Sequence, residues 1–276
     1  MFTASTAVAW GSFVVAAYDQ YASDPTQDNP SAILNMPTGF TLTSTIQMTD
    51  FFGPIRDRVF YGYVAVGGDP RVAVVALRGT TSPIEWWDDL HWQLVPFTEV
   101  SGAGRVAEGF FDIYRTFGTM TPGAATASLP SVSFAVEIAE TIADTVGGLD
   151  PAVPTIVCGH SLGGALASLL AADLAANTPI TPQVWTFASP RVGDATFASR
   201  YGALTSESWR IYNQVDVVPY FPVDTSDAYQ PVTTGYAISS LGSARWSLGC
   251  AHALNTYLHV LSPSTVPLHP ACAPTA

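Results

Sequence analysis

Thr155-Ile156-Val157-Cys158-Gly159-His160-Ser161-Leu162-Gly163-Gly164 is the stretch on which the reading of this chain turns. Its first half is apolar, with β-branched Ile156 and Val157, and reads as a short buried strand. The pattern breaks at Gly159, and an alanine-rich run over residues 165–176 reads as a helix. Between them lies Gly159-x-Ser161-x-Gly163, the spacing of a nucleophile elbow. The glycines have a steric reason. A serine stands clear of a sheet on a sharp strand-to-helix turn only if backbone can approach closely, and side chains two residues either side would collide. The next N–H, that of Leu162, then lies at a helix start, where it can face a developing oxyanion.

A serine hydroxyl is a poor nucleophile until a histidine accepts its proton, and that histidine needs an acceptor on its other nitrogen. For an elbow of this kind the chain order is Ser, then Asp or Glu, then His. The histidines after Ser161 are His252, His259 and His269. His252 is favoured because it sits on a loop just before a final helix over residues 253–261. His259 falls inside that helix, and His269 falls in a Pro-rich tail. His160 neighbours the nucleophile and is read as structural. For the acid, Asp216 directly follows a strand and precedes Pro219, so it is preferred to Asp224 and Asp227 in a polar run. Asp173 and Asp194 are read as a helix surface and a turn.

Composition narrows the chemistry. The 276 residues carry a net charge of −12, and all ten basic residues are Arg. Without lysine, Schiff-base and Ser–Lys mechanisms are excluded. Nucleic acid is excluded as a partner, since phosphate binding wants basic clusters. Anionic membranes repel such a surface; neutral lipid interfaces do not. A hydrophobic fraction of 48% with 12% charged residues indicates a packed globular chain, expected to form one domain over residues 1–276. No Cys/His spacing suggests zinc, and no metal or cofactor is expected. Cys158 reads as a small buried hydrophobe. Cys250 and Cys272 are either a disulfide tying the tail near His252 or two free thiols.

Along the chain, residues 3–22 have a helical apolar pattern and, lacking a basic start, read as the first helix of the fold rather than a signal peptide. Strands are expected over 40–50, 58–66 and 71–77, the last ending at Arg78-Gly79-Thr80. Residues 84–94 read as a short helix rich in large apolar groups, Trp86, Trp87 and Trp92 among them. It is either an ordinary core helix or an amphipathic lid over an apolar site. A helix is expected within 104–117, entered through Gly109, then a surface loop over 118–130 and a helix over 131–146 stopping at Gly147-Gly148. Strands follow over 183–187 and 210–214, with a late hairpin within 224–247. Strands alternating with helices imply a largely parallel sheet.

Several motifs stand in one order: Val75-Ala76-Leu77-Arg78-Gly79-Thr80, Trp86-Trp87-Asp88-Asp89-Leu90, Glu108-Gly109-Phe110, Gly159-His160-Ser161-Leu162-Gly163-Gly164, Thr186-Phe187-Ala188-Ser189-Pro190-Arg191-Val192-Gly193, Asp216-x-Val218-Pro219, and His252 followed by Tyr257. Between Val72 and Tyr257 the chain thereby resembles the class 3 lipases, the fungal triacylglycerol lipase type of α/β-hydrolase. The resemblance implies an α/β-hydrolase fold with a mostly parallel central sheet, flanking helices and a helical lid over about residues 81–98, where Trp86 and Trp87 would meet substrate. It implies Thr80 and Leu162 as the oxyanion-hole residues and supports Ser161, Asp216 and His252 as the triad. Ala107 stands where many members carry a histidine. More residues separate His252 from Tyr257 than in the fungal enzymes, which keeps His259 an alternative. The fungal disulfide pattern is absent, although the resemblance still suggests an extracellular protein.

The sequence therefore points to a carboxylester hydrolase, a lipase on acylglycerol esters at a lipid–water interface, with no cofactor and no stable protein partner. Two rivals remain: an esterase on soluble esters, feruloyl-esterase-like, and a non-catalytic binding protein that kept the fold.

Overall fold

In a computed structural model the described residues are 2–49, 58–80, 90–124, 132–148, 153–223 and 228–274. Their strands are β1 (Phe40–Thr49), β2 (Arg58–Gly67), β3 (Val72–Leu77), β4 (Leu94–Pro96), β5 (Arg105–Ala107), β6 (Gly118–Met120), β7 (Thr155–His160), β8 (Gln183–Phe187), β9 (Ser208–Asn213) and β10 (Tyr236–Ile238). The helices are α1 (Ala4–Ser23), α2 (Glu108–Tyr114), α3 (Phe134–Val146), α4 (Leu162–Asn177), α5 (Ala195–Leu204), α6 (Leu248–His252) and α7 (Leu254–Leu261).

Eight strands form one sheet in the order β10-β9-β8-β7-β3-β2-β1-β6. From β3 through β10 every neighbour is parallel, whereas β2, β1 and β6 add antiparallel pairs at the other side. The central strands are apolar on both faces because both are covered. Val75, Leu77 and Val157 point into a core with Leu166, Leu169 and Leu170 of α4. The alternate residues Val74, Ala76 and Ile156 meet Phe13, Val14 and Ala17 of α1 on the opposite face. Helix α4 is buried on all sides from Leu162 to Asp173, which explains its small, apolar composition. This is an α/β-hydrolase architecture with helices on both faces of a mostly parallel sheet.

The parallel arrangement also places the chemistry. Ligands of open α/β sheets bind beyond the carboxyl ends of the strands. Three segments leave at that edge: Arg78-Gly79-Thr80 after β3, Ser161 after the adjacent β7, and Asp216 shortly after β9, one strand further across β8.

Several local expectations change. The helix expected within 104–117 and entered through Gly109 is α2, which starts at Glu108; what was not expected is that the residues just before it form β5, which pairs with β4. Residues 118–120 are an edge strand on β1 rather than loop. Of the helix expected over 84–94, residues 84–89 lie outside the described residues. The remainder is not helical: Leu90 packs in the core and Leu94 opens β4. Among the described residues the late hairpin is a single strand, β10, parallel to β9. Helix α5 was not expected; Asp194 caps it by accepting from the Phe197 N–H at 2.9 Å. Asp173 is not a helix-surface residue. It is buried and accepts from the Tyr114 hydroxyl at 2.7 Å and the Asn177 amide at 2.6 Å.

Candidate active site

Ser161 occupies the turn between β7 and α4 with φ 57° and ψ −127°, a conformation that costs a non-glycine residue about 1–3 kcal/mol. The surroundings hold it there. Its N–H donates to the Phe187 carbonyl at 2.9 Å, and its own carbonyl accepts from the Gly164 N–H at 2.9 Å. The glycines of the motif are required by backbone proximity. A Cβ on Gly159 would lie 2.2 Å from the Gly163 carbonyl oxygen, and one on Gly163 would lie 2.4 Å from that of Arg78.

His252 closes α6, and its Nε2 lies 2.9 Å from Ser161 Oγ. On its other side Nδ1 lies 2.8 Å from Asp216 Oδ2. A carboxylate only accepts, so Nδ1 carries the proton and Nε2 faces the serine hydroxyl as an acceptor. All three residues are buried. The arrangement can take a proton from the serine and hold the resulting imidazolium beside an anion, which is what covalent acyl transfer requires.

Asp216 is fixed at each oxygen. Oδ1 accepts from the Val218 N–H at 3.0 Å, and Oδ2 accepts from the Tyr257 hydroxyl at 2.6 Å as well as from His252. Burial and the adjacent Asp216 charge raise the Tyr257 phenol well above its ordinary pKa, so it remains a donor. Its oxygen accepts in turn from the Asn213 N–H at 3.0 Å. Asn213, at the end of β9, also donates its amide to Ser240 Oγ and to the Ala251 carbonyl, each at 2.8 Å. It thus joins the strand that leads to the acid to the helix bearing the base. Sequence reasoning missed this hub. Its one signal was an amide at the end of a strand, just ahead of the candidate acid.

The competing histidines lie elsewhere. His259 Nδ1 engages the Val266 carbonyl at 2.7 Å, and His269 caps the turn at Pro270–Cys272. His252 is not on a loop but in the last position of the short helix α6. That helix is tied to the tail by a Cys250–Cys272 disulfide, so those cysteines are bonded rather than free thiols. Cys158 is a free, buried thiol whose pKa burial pushes upward. Asp224 and Asp227 lie outside the described residues, as do Trp86 and Trp87.

Two backbone donors are available beside the serine. Leu162 is the first residue of α4, and a first-turn N–H has no partner within its helix. Thr80 is partly exposed, and neither its N–H nor its hydroxyl has a partner among the described residues. The loop carrying it is clamped at both peptides. The Gly79 N–H donates to Tyr18 Oη at 2.8 Å, and Arg78 Nη1 donates to the Gly79 carbonyl at 2.7 Å. Because the peptide unit is planar, holding that carbonyl also sets the direction of the Thr80 N–H. Arg78 is buried, with its guanidinium 3.6 Å from the centre of the Tyr21 ring; burial lowers its pKa, offset by the neighbouring tyrosines. Among the described residues no group of acidic, His and Cys side chains could hold a metal.

Comparison with known proteins bears on family and fold. A family model described as Lipase (class 3) matches residues 74–226. Phospholipase A1-II 4 of Oryza sativa subsp. japonica is 35% identical over 74% of this chain and 55% of its own length. Phospholipase A1-IIgamma of Arabidopsis thaliana is 30% identical over 74% of the chain and 53% of its own length. The chain thus spans about half the length of these plant relatives. Among solved structures, a mutant form of MDLA from Penicillium cyclopium superposes with a TM-score of 0.64 at 25% identity, covering 88% of this chain and 82% of that one. The lipase of Rhizopus microsporus var. chinensis gives 0.60 at 21% identity, covering 85% and 72%, a likeness of fold.

Proposed function

The chain belongs to the class 3 lipase family, and from that premise we propose that it hydrolyses acyl esters of glycerolipids through a Ser161–His252–Asp216 triad. The observation that carries this reading is the unbroken set of contacts from Ser161 Oγ through His252 to Asp216, with the serine on a strained elbow. Ser161 Oγ attacks the ester carbonyl while its proton passes to His252 Nε2. The oxyanion is held by the N–H groups of Leu162 and Thr80, and Asp216 stabilises the imidazolium. His252 then protonates the departing alcohol, leaving an acyl-serine. Water, deprotonated by the same histidine, releases the acid. No cofactor enters these steps.

Acylglycerols are the first substrate class to test. Phospholipids stand beside them, because the plant relatives carry the name phospholipase A1. A net charge of −12 favours neutral or zwitterionic lipid over anionic surfaces. The test measures turnover on triacylglycerol emulsions, zwitterionic phospholipid vesicles and a soluble short-chain ester, for the parent and Ser161→Ala. The reading predicts faster turnover on one of the lipid dispersions than on the soluble ester, and a loss on the order of 10⁶ in the variant, the scale found when a triad serine is removed. A rate flat across the solubility limit with fast soluble-ester hydrolysis would assign a soluble esterase. Full activity in Ser161→Ala would remove the triad.

A further inference from the structure

His160 precedes the nucleophile, is buried, and takes no part in the proton transfers described above. Both its ring nitrogens are nevertheless engaged. Nε2 lies 2.8 Å from the carbonyl oxygen of His252, and Nδ1 lies 2.8 Å from the hydroxyl of Tyr18 on α1. A carbonyl oxygen only accepts, so Nε2 carries the hydrogen. Burial, and next the nearby His252, hold the pKa of this ring well below the histidine norm, so it is neutral and Nδ1 is an acceptor. Tyr18 must then donate its hydroxyl hydrogen to Nδ1, and its oxygen is free to accept the Gly79 N–H at 2.8 Å. Burial raises the Tyr18 pKa, which keeps that hydrogen in place. Each bond has one direction, and together they run from the loop bearing Thr80 to the backbone of His252.

We propose that Tyr18 and His160 are positioning residues, a neutral strut that sets the distance between the oxyanion loop and the base; this rests on the triad reading above. The two ends belong to segments far apart in sequence, Gly79 after β3 and His252 closing α6, and both must be placed against Ser161 at once. The strut is built for that. The His160 and His252 rings have centroids 4.8 Å apart, so a neutral His160 adds no charge beside an imidazole that becomes cationic during turnover. An open cleft of about 230 Å³ borders Tyr18, His160, Ala253 and Leu254. One side of the pair therefore faces this cleft, and the hydrogen bonds fix the orientation of the two rings.

The test uses Tyr18→Phe, His160→Gln and the double variant, with active sites counted by phosphonate titration so that misfolded protein does not enter kcat. Misplacing a catalytic group by about 1 Å can cost on the order of 10² in rate. Each single variant is therefore expected to lose roughly 10–10²-fold in kcat per titrated site, with KM unchanged. Because both act through one chain of bonds, the double variant should be no slower than the slower single variant. Nitrogen NMR of histidine-labelled Ser161→Ala protein at neutral pH should show a ring protonated at Nε2 that vanishes on adding His160→Gln. That readout does not depend on turnover, so the strut can fail while the triad stands, or the reverse. Unchanged kcat in both single variants, losses that multiply in the double variant, or a His160 ring protonated at Nδ1 would each overturn the proposal.

Discussion

Gly163→Ala is the substitution whose consequence can be worked most fully from the structure. The added methyl would lie 2.4 Å from the Arg78 carbonyl oxygen and 2.5 Å from that of Leu77. Ordinary contact begins at 3.4 Å, so α4 and the end of β3 must separate by about 1 Å. Neither neighbour is a flexible side-chain tip; both are backbone, one in the central sheet and one in the loop bearing Thr80. The same movement pulls the Leu162 and Thr80 N–H groups apart. A shift of that size costs on the order of 10² in rate where geometry controls the transition state, and overpacking costs about 1–3 kcal/mol of stability. The assay is kcat per titrated site on one ester substrate, with thermal unfolding alongside. Gly202→Ala is the control, since a Cβ there meets nothing within 4 Å on helix α5. It should leave kcat unchanged and gain roughly 0.5–1 kcal/mol. If Gly163→Ala kept both activity and melting temperature, the close approach of elbow and oxyanion loop would be wrong.

Two further outcomes follow from the supporting contacts. Tyr257→Phe removes the hydroxyl shared by Asp216 and the Asn213 N–H. The stranded buried donor should lower unfolding free energy by about 1–3 kcal/mol in denaturant titration. A less firmly held Asp216 should also lower kcat at constant KM, about tenfold for each ~1.4 kcal/mol lost from the transition state; an unchanged kcat would make Tyr257 purely structural. For Asp194, burial alone would raise the pKa. Backbone N–H donation from Phe197 and Arg105, with the Arg105 guanidinium at 3.1 Å, outweighs burial and leaves it below 3.8. A depressed folded pKa stabilises above the unfolded value and loses that contribution as pH falls through the folded one. Parent and Asp194→Ala should therefore differ by about 1 kcal/mol at neutral pH, the worth of an N-cap, with the gap narrowing below pH 3.8; a constant gap would show that the carboxylate charge plays no part.

How far the sequence carried depends on how local each signal was. The strands β3, β7 and β8 are runs of apolar residues bounded by glycine or turn residues, and the elbow is steric punctuation within ten residues, so both were legible. The order Ser, Asp, His picked out Ser161, Asp216 and His252, and the structure brings those three within hydrogen-bonding distance. Long-range pairing was not legible. The three-residue strands β5, β6 and β10 exist only because β4, β1 and β9 lie beside them. Asp173 looked like a solvated helix position, yet α4 is buried all round and Tyr114 from α2 supplies its partner. His160 and Asn213 looked like a strand residue and a strand end. Their importance lies in bonds to Tyr18, His252, Ala251 and Tyr257, none of which is near in sequence.

Every mechanistic step proposed for this chain rests on Ser161 being the activated nucleophile of an ester-hydrolysing site. The decisive experiment is labelling by an activated alkyl phosphonate ester, followed by mass spectrometry of the digested protein and residual turnover on the same sample. One adduct is expected, on Ser161, forming in step with loss of ester hydrolysis, abolished in Ser161→Ala and slowed in His252→Ala. Stoichiometric labelling elsewhere, or ester hydrolysis that survives complete modification of Ser161, would contradict it.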